Sequence, residues 1–216
     1  MAKCKLFALA LMIIAAAALV ACGHRMNFSD EDMDIYEKIH RYYSKMESYS
    51  AQVTLTVKGN KTENIYKLEQ YAKGEDRTLS RIVSPEELNG LETVTNGEMA
   101  QVRFGGEKPR QLDVTASKDM DCTFISYFMR YYYQSEDTVI QVNTGQENTE
   151  GTTLLETELP PVSARRSRAS LLVDNRTLAP KCITVYDMGG NIVLIAEFDK
   201  FVYNDTIQDE IFEIAS

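Results

Sequence analysis

In this 216-residue sequence, the side chain best placed for covalent chemistry is the thiol of Cys22. It ends the run Leu19-Val20-Ala21-Cys22, behind a basic start with Lys3 and Lys5 and an unbroken apolar stretch from Leu6 to Val20. A charged start, an apolar middle and small residues before a cleavage point make a secretory signal peptide. The apolar run is roughly 15 residues, short of the ~20 that a helix needs to cross a bilayer. The expectation is that residues 1–21 are a leader, residues 22–29 a tether that starts at Cys22, and residues 30–216 a single domain.

Other reactive side chains are sparse. Beyond the leader the histidines are His24, in the tether, and His40, so histidine alone cannot complete a three-ligand catalytic zinc site. H-E-x-x-H, G-x-S-x-G and a Walker loop are absent, and Gly105-Gly106-Glu107-Lys108 lacks the phosphate-loop spacing. Carboxylates are abundant, but none lies in an apolar setting that would single out a glycosidase pair. Solvated faces account for them. The residues thus point away from an enzyme and toward no cofactor and no metal. Cys122 and Cys182 remain; an exported chain permits a bridge between them, while two buried free thiols are the simpler reading.

Charge narrows the setting further. The whole chain carries −9, and loss of the two leader lysines takes it to −11. An acidic protein is repelled by anionic headgroups, so its charge supplies no polybasic attraction to a membrane. One basic cluster, Arg165-Arg166 with Arg168, reads as a solvated loop after Pro160-Pro161, with partner docking as its second reading.

The elements follow from periodicity. Ser29 with Asp32 opens a helix over Asp30–Met46, whose Met33, Tyr36, Ile39, Tyr43 and Met46 share one face. Ala51, Val53, Leu55 and Val57 then alternate with polar residues as a half-buried strand. Further strands are expected near Asn64–Lys73, Arg77–Val83, Glu92–Thr95 and Met99–Phe104, the last two around the hairpin signal Asn96-Gly97. Residues 105–116 read as irregular. A second helix over Lys118–Gln134 carries Phe124, Tyr127, Phe128, Tyr131 and Tyr132 as an aromatic stripe. Core packing, a lid over a cavity and a face for a partner are its three readings. Strands resume at Thr138–Asn143, Thr152–Thr157, Arg168–Val173, Lys181–Tyr186 and Ile192–Phe201, and Asp209–Ile214 closes the chain. The sum is mainly β with α: a strongly curved antiparallel half-barrel with helices packed at its concave mouth.

Two resemblances add to this. Leu19-Val20-Ala21-Cys22 resembles the lipobox of bacterial lipoproteins, which implies a diacylglyceryl thioether at Cys22 and anchoring by acyl chains, each buried methylene contributing roughly 0.8 kcal/mol. The implied address is the outer face of the cytoplasmic membrane, or a spore intermembrane space. The first helix followed by Tyr49-Ser50-Ala51-Gln52-Val53-Thr54-Leu55-Thr56-Val57 resembles the lipoprotein-carrier superfamily. So do Glu92-Thr93-Val94-Thr95-Asn96-Gly97, Thr184-Val185-Tyr186-Asp187 with Gly190-Asn191, and Phe198-Asp199-Lys200-Phe201 before Tyr203-Asn204 and Phe212. Within it the chain looks most like the clostridial spore germination lipoproteins. That branch implies a partner, a zinc-dependent cell-wall N-acetylmuramoyl-L-alanine amidase of spore cortex modification. The carrier branch implies acyl chains held in a Trp-lined interior, but this chain has no Trp. Open sheet edges and Gly-containing turns further allow a homodimer by strand exchange.

Overall fold

The computed structural model describes residues 29–59, 61–112, 121–144, 151–163 and 165–214; Cys22 and the leader lie outside the described residues. Helix α1 (Asp30–Ser44) starts on a reciprocal cap. The Asp32 N–H donates to Ser29 Oγ and the Ser29 N–H to Asp32 Oδ2, each at 3.1 Å. Two N–H groups that the helix leaves free are thereby satisfied, and three acids in the first turn complement its dipole.

From Asp34 onward the chain forms one unit. Its eleven strands are β1 (Ser48–Lys58), β2 (Glu63–Lys73), β3 (Arg77–Ser84), β4 (Glu92–Asn96), β5 (Ala100–Arg103), β6 (Arg110–Leu112), β7 (Val139–Asn143), β8 (Thr152–Ser163), β9 (Arg166–Asp174), β10 (Pro180–Tyr186) and β11 (Ile192–Tyr203). They make a single antiparallel sheet in the order β6-β5-β4-β3-β2-β1-β11-β10-β9-β8-β7, curved and not closed into a barrel. Two meanders, β1–β6 and β7–β11, are thus joined along β1 and β11, and helix α2 (Ile125–Gln134) lies between them in the chain.

Alternation decides which face each strand buries. Tyr49, Ala51 and Val53 of β1, Leu68 and Ala72 of β2, Ala169, Leu171 and Val173 of β9, and Ile183 and Val185 of β10 point into one core. Ile39 and Tyr43 of α1 and Phe128 and Tyr132 of α2 complete it. Both helices therefore cover the concave side. On the opposite face a cross-strand ladder fixes the register of the first meander. Arg81 of β3 donates to Glu69 of β2 and Glu92 of β4, and Arg103 of β5 lies 3.7 Å from Glu92. Half-exposed pairs of this kind contribute up to roughly 1 kcal/mol each, so they select register more than they stabilise. A smaller core also lies outside: Leu79 and Val94 are covered by Ile207 and Phe212 of the C-terminal segment. Lys73 and Arg77 clamp that segment through Asp209.

Four sequence expectations change. Residues 110–112, expected to be irregular, form β6, because the outer backbone of β5 offers a ladder that a polar segment can complete. The expected helix is broken: Asp121 is helical, Cys122–Phe124 form a turn in which the Phe124 N–H donates to Asp121 O at 2.8 Å, the helix resumes at Ile125, and residues 118–120 lie outside the described residues. Strand β8 continues through Pro160 and Pro161, and β9 begins at Arg166, so Arg166 joins Arg168 as a strand residue and does not lie in the loop expected for the cluster. Residues 209–212 form a 3-10 turn instead of a strand. Cys122 and Cys182 are free thiols, the first buried.

Candidate binding site

The concave face has two ends, and the residues at each end treat its space differently. At the end where β1 begins, α2 fills it. The first N–H of α2 lacks the usual Ser or Asp cap, since Phe124 stands there. The phenol of Tyr49, buried in β1, takes that place: the Ile125 N–H donates to Tyr49 Oη at 3.1 Å. Burial pushes the Tyr49 phenol well above its ordinary value, so it stays neutral.

The five residues of the aromatic stripe are brought together, largely inward. Phe124, Tyr127, Phe128 and Tyr132 are buried, and Tyr131 is half-buried with its ring 4.7 Å from that of Tyr127. Core packing is thus the principal task of the stripe. Beside it, His40 of α1 sits among Tyr36, Tyr132 and Tyr133, with ring centroids 4.5, 5.6 and 5.1 Å away. Its Nε2 is buried with no hydrogen-bond partner, and desolvation lowers its pKa. The imidazole is therefore a neutral packing group at neutral pH.

At the other end the face stays open. A cavity of about 310 Å³ lies over β1–β4 and the start of β11. Leu55, Val57, Leu68, Ile82, Leu88 and Leu194 make its apolar wall, and Phe124 closes its inner end. Its volume is near the lower bound, roughly 300 Å³, of pockets that hold small ligands. The hollow runs back along β3 and β4, where the inward Thr78, Ser80 and Thr93, in the same cross-strand rows as Tyr49 and Ala51, are too short to reach across. Thr78 Oγ1 donates to Asp121 Oδ1 at 3.2 Å, and Arg166 enters from the start of β9. One acid, one guanidinium and several hydroxyls are thus set in an otherwise apolar hollow.

Strand register shows where this hollow leads. Val57 pairs with Asn64 and Leu194, Tyr186 with Ile192 and Arg168, and Ser163 with Arg166. The β1–β2, β8–β9 and β10–β11 turns therefore share one rim with the connection after β3. Ile65, Val83, Met188 and Ile192 are exposed on it, Met188 by 77%. Lys58, Lys61 and Arg165 stand among them with Glu63, Glu86 and Glu87. The rest of the basic cluster is engaged: Arg168 pairs with Glu156 at 3.0 Å and stacks over Tyr186.

Such an arrangement can hold an apolar group and offer it polar contacts at depth. Among the described residues no three His, Cys, Asp or Glu side chains converge as metal ligands, and no helix is long and apolar enough to cross a membrane. Sequence reasoning allowed for a concave hollow and named Phe124 as a residue of its face, but it did not find the strand residues of the wall or the rim, because five strands build them. The available signal was the run of short hydroxyl residues at inward positions of β3 and β4.

Comparison with known proteins adds context. The family described as sporulation protein YdcC-like matches residues 95–212, more than half of the chain. No curated protein matches it. Among solved structures, the chain is similar to one of the CwlD amidase from Clostridioides difficile in complex with the GerS lipoprotein. The identity there is 23% and the TM-score 0.47, over 84% of this chain and 99% of that one. It is also similar to a LolA superfamily protein from Nitrosomonas europaea, with 14% identity and a TM-score of 0.45 over 84% and 97%. A third is lipoprotein LppX of Mycobacterium tuberculosis, with 11% identity and a TM-score of 0.43 over 83% and 99%.

Proposed function

This chain belongs to the YdcC-like family of sporulation proteins, and from that premise we propose that it is an exported binding protein, held at the membrane by lipid on Cys22, that grips and regulates a cell-wall N-acetylmuramoyl-L-alanine amidase. The family supplies the sporulation setting, and the lipobox supplies the address. The resemblance to spore germination lipoproteins supplies the partner class. The observation that carries the binding role is the coincidence of an apolar cavity with exposed Ile65, Val83, Met188 and Ile192 on one rim. Exposed apolar groups around a pocket are what a partner's anchor side chains seek, and a few such anchors carry most of the energy of an interface.

The test is co-purification of the tagged full chain from sporulating cells, with Met188→Asp as the companion variant. An exported amidase should co-elute with the wild type and fall at least about tenfold with the variant, the loss expected when one anchor is removed. Elution without any amidase overturns the reading.

The cavity itself favours a second reading, a carrier of acyl chains. At about 310 Å³ it suits a single chain segment, not a bundle. Mass spectrometry of the purified chain under native conditions decides this reading: a stoichiometric bound lipid supports it, and an empty protein counts against it.

A further inference from the structure

A hollow beside a sheet leaves its wall strands short of packing on that face, and they must be held from the other. In this chain the wall includes β3 and β4, whose Thr78, Ser80 and Thr93 border the hollow. The buried apolar side chain of each strand points the opposite way. Leu79, between Thr78 and Ser80, pairs with Val94, next to Thr93, on the outer face. The C-terminal segment covers that pair: Ile207 and Phe212 are buried over it, with Tyr71, Ile211 and Ile214 at the margin. This segment is pinned at its root and lightly held at its tip. At the root the Glu47 N–H donates to Asn204 Oδ1 at 2.7 Å, and the hydroxyls of Ser48 and Ser50 donate to Asp205 at 2.7 and 2.5 Å. Beyond it, among the described residues, no strand pairs with residues 206–214. Lys73 and Arg77 hold Asp209 Oδ1 at 2.6 and 2.8 Å, Lys73 also donates to Ile207 O at 3.0 Å, and Arg103 donates to Glu213 O.

We infer that residues 206–214 are a releasable brace for the hollow, in which Ile207, Asp209 and Phe212 act as positioning residues that hold β3 and β4 from outside in the shape the hollow requires. The inference rests on the hollow being the binding site. The tip has the makings of a segment that opens locally: few buried apolar side chains, no ladder, and a clamp open to solvent. Asp209 is 63% exposed, so salt or a competing anion can reach the clamp. When the tip lifts, Leu79 and Val94 meet water while their neighbours still face the hollow, and the wall lacks packing on both faces. Only chains with a formed wall bind, so release lowers the apparent affinity of the hollow in proportion to the walls lost. Linkage then works in both directions: an occupant that packs β3 and β4 from inside also favours the closed brace.

Hydrogen exchange of the full chain, read by mass spectrometry on peptides from each strand, tests this without any partner, so the brace and the amidase reading can fail separately. Phe212→Ala should speed exchange of β3 and β4 by about tenfold and leave β9 and β10 unchanged. Asp209→Asn removes only the charge of an exposed side chain and should give about a threefold rise at the same two strands. Raised salt should reproduce that rise in the wild type and add little to Asp209→Asn. Phe212→Ala combined with Ser80→Leu reports on the hollow itself. The added leucine packs the wall from inside and should bring β3 and β4 back toward the wild-type rate, which a role confined to the outer core would not produce. Equal acceleration of both meanders makes Phe212 an ordinary core residue and overturns the inference. Unchanged exchange of β3 and β4 in Phe212→Ala and Asp209→Asn overturns it too, as does a Ser80→Leu combination that restores nothing.

Discussion

The two ends of the concave face are built from the same strands, yet one is packed solid and the other is left hollow. At the packed end, Tyr49, Ala51 and Val53 of β1 share one core with Phe128 and Tyr132 of α2, and a buried phenol completes the helix. In the hollow, which extends from the open end along β3 and β4, the sheet offers Thr78, Ser80 and Thr93, and among the described residues neither helix lines it, Phe124 closing its inner end. The difference teaches that curvature alone does not make a binding site. Short inward residues such as Ala51 and Ala72 are packed where the aromatic side chains of the ten-residue helix join their core, whereas Thr78, Ser80 and Thr93 border open space, so the reach of the helix decides between core and cavity.

Substitutions can break this contrast or sharpen it. The largest effect is expected from Phe128→Ala. That ring is fully buried, and its removal should cost about 3–5 kcal/mol in urea unfolding. A loss below about 1 kcal/mol would mean that the packed end is looser than its burial implies. Next comes a matched pair. Ala51→Leu adds bulk where no room exists and should cost about 1–3 kcal/mol, whereas Ser80→Leu grows into the cavity and should change stability by less than about 1 kcal/mol. Equal costs would erase the distinction between the ends. Tyr49→Phe removes only an oxygen, but it strands a buried helix N–H, and a loss of about 1–3 kcal/mol is expected by the same measurement.

The smallest effect concerns pH. His40 has a folded pKa below its unfolded value because burial disfavours the imidazolium. The unfolded chain therefore binds more protons as pH falls through about 6.5, and stability is full above that value and declines below it. Between pH 7 and 5.5 the melting temperature should drop about 1–2 °C more in the wild type than in His40→Gln. Identical slopes would show that the imidazole is solvated.

Much of the fold is legible in local pattern. The two-residue period of β1 shows which side chains enter the core, and Asn96-Gly97 marks a turn whose Gly97 adopts φ +91°, where a Cβ would lie 2.8 Å from Asp76 Cβ. The Ser29–Asp32 cap is legible for the same reason: its partners are three residues apart. What escapes is set by distant neighbours. Strand β6 is polar, and only the open side of β5 makes it a strand. Pro160-Pro161 signals a loop, yet a strand at the sheet edge loses little by lacking an N–H there. Asp209–Phe212 resembles another strand until Lys73 and Arg77 are seen to hold it over Leu79. The aromatic stripe was readable as a stripe, but its burial depends on the curvature of strands far away in the chain.

The most direct test of the account is whether an amidase binds at the hollow end. In a pull-down with the exported amidase of the same cells, the wild-type chain and Ala51→Ser, altered only at the packed end, should retain it. Ser80→Leu and Met188→Asp, both soundly folded, should release it. Retention by all four chains, or by none, would contradict the claim that the open end of this sheet is where the protein does its work.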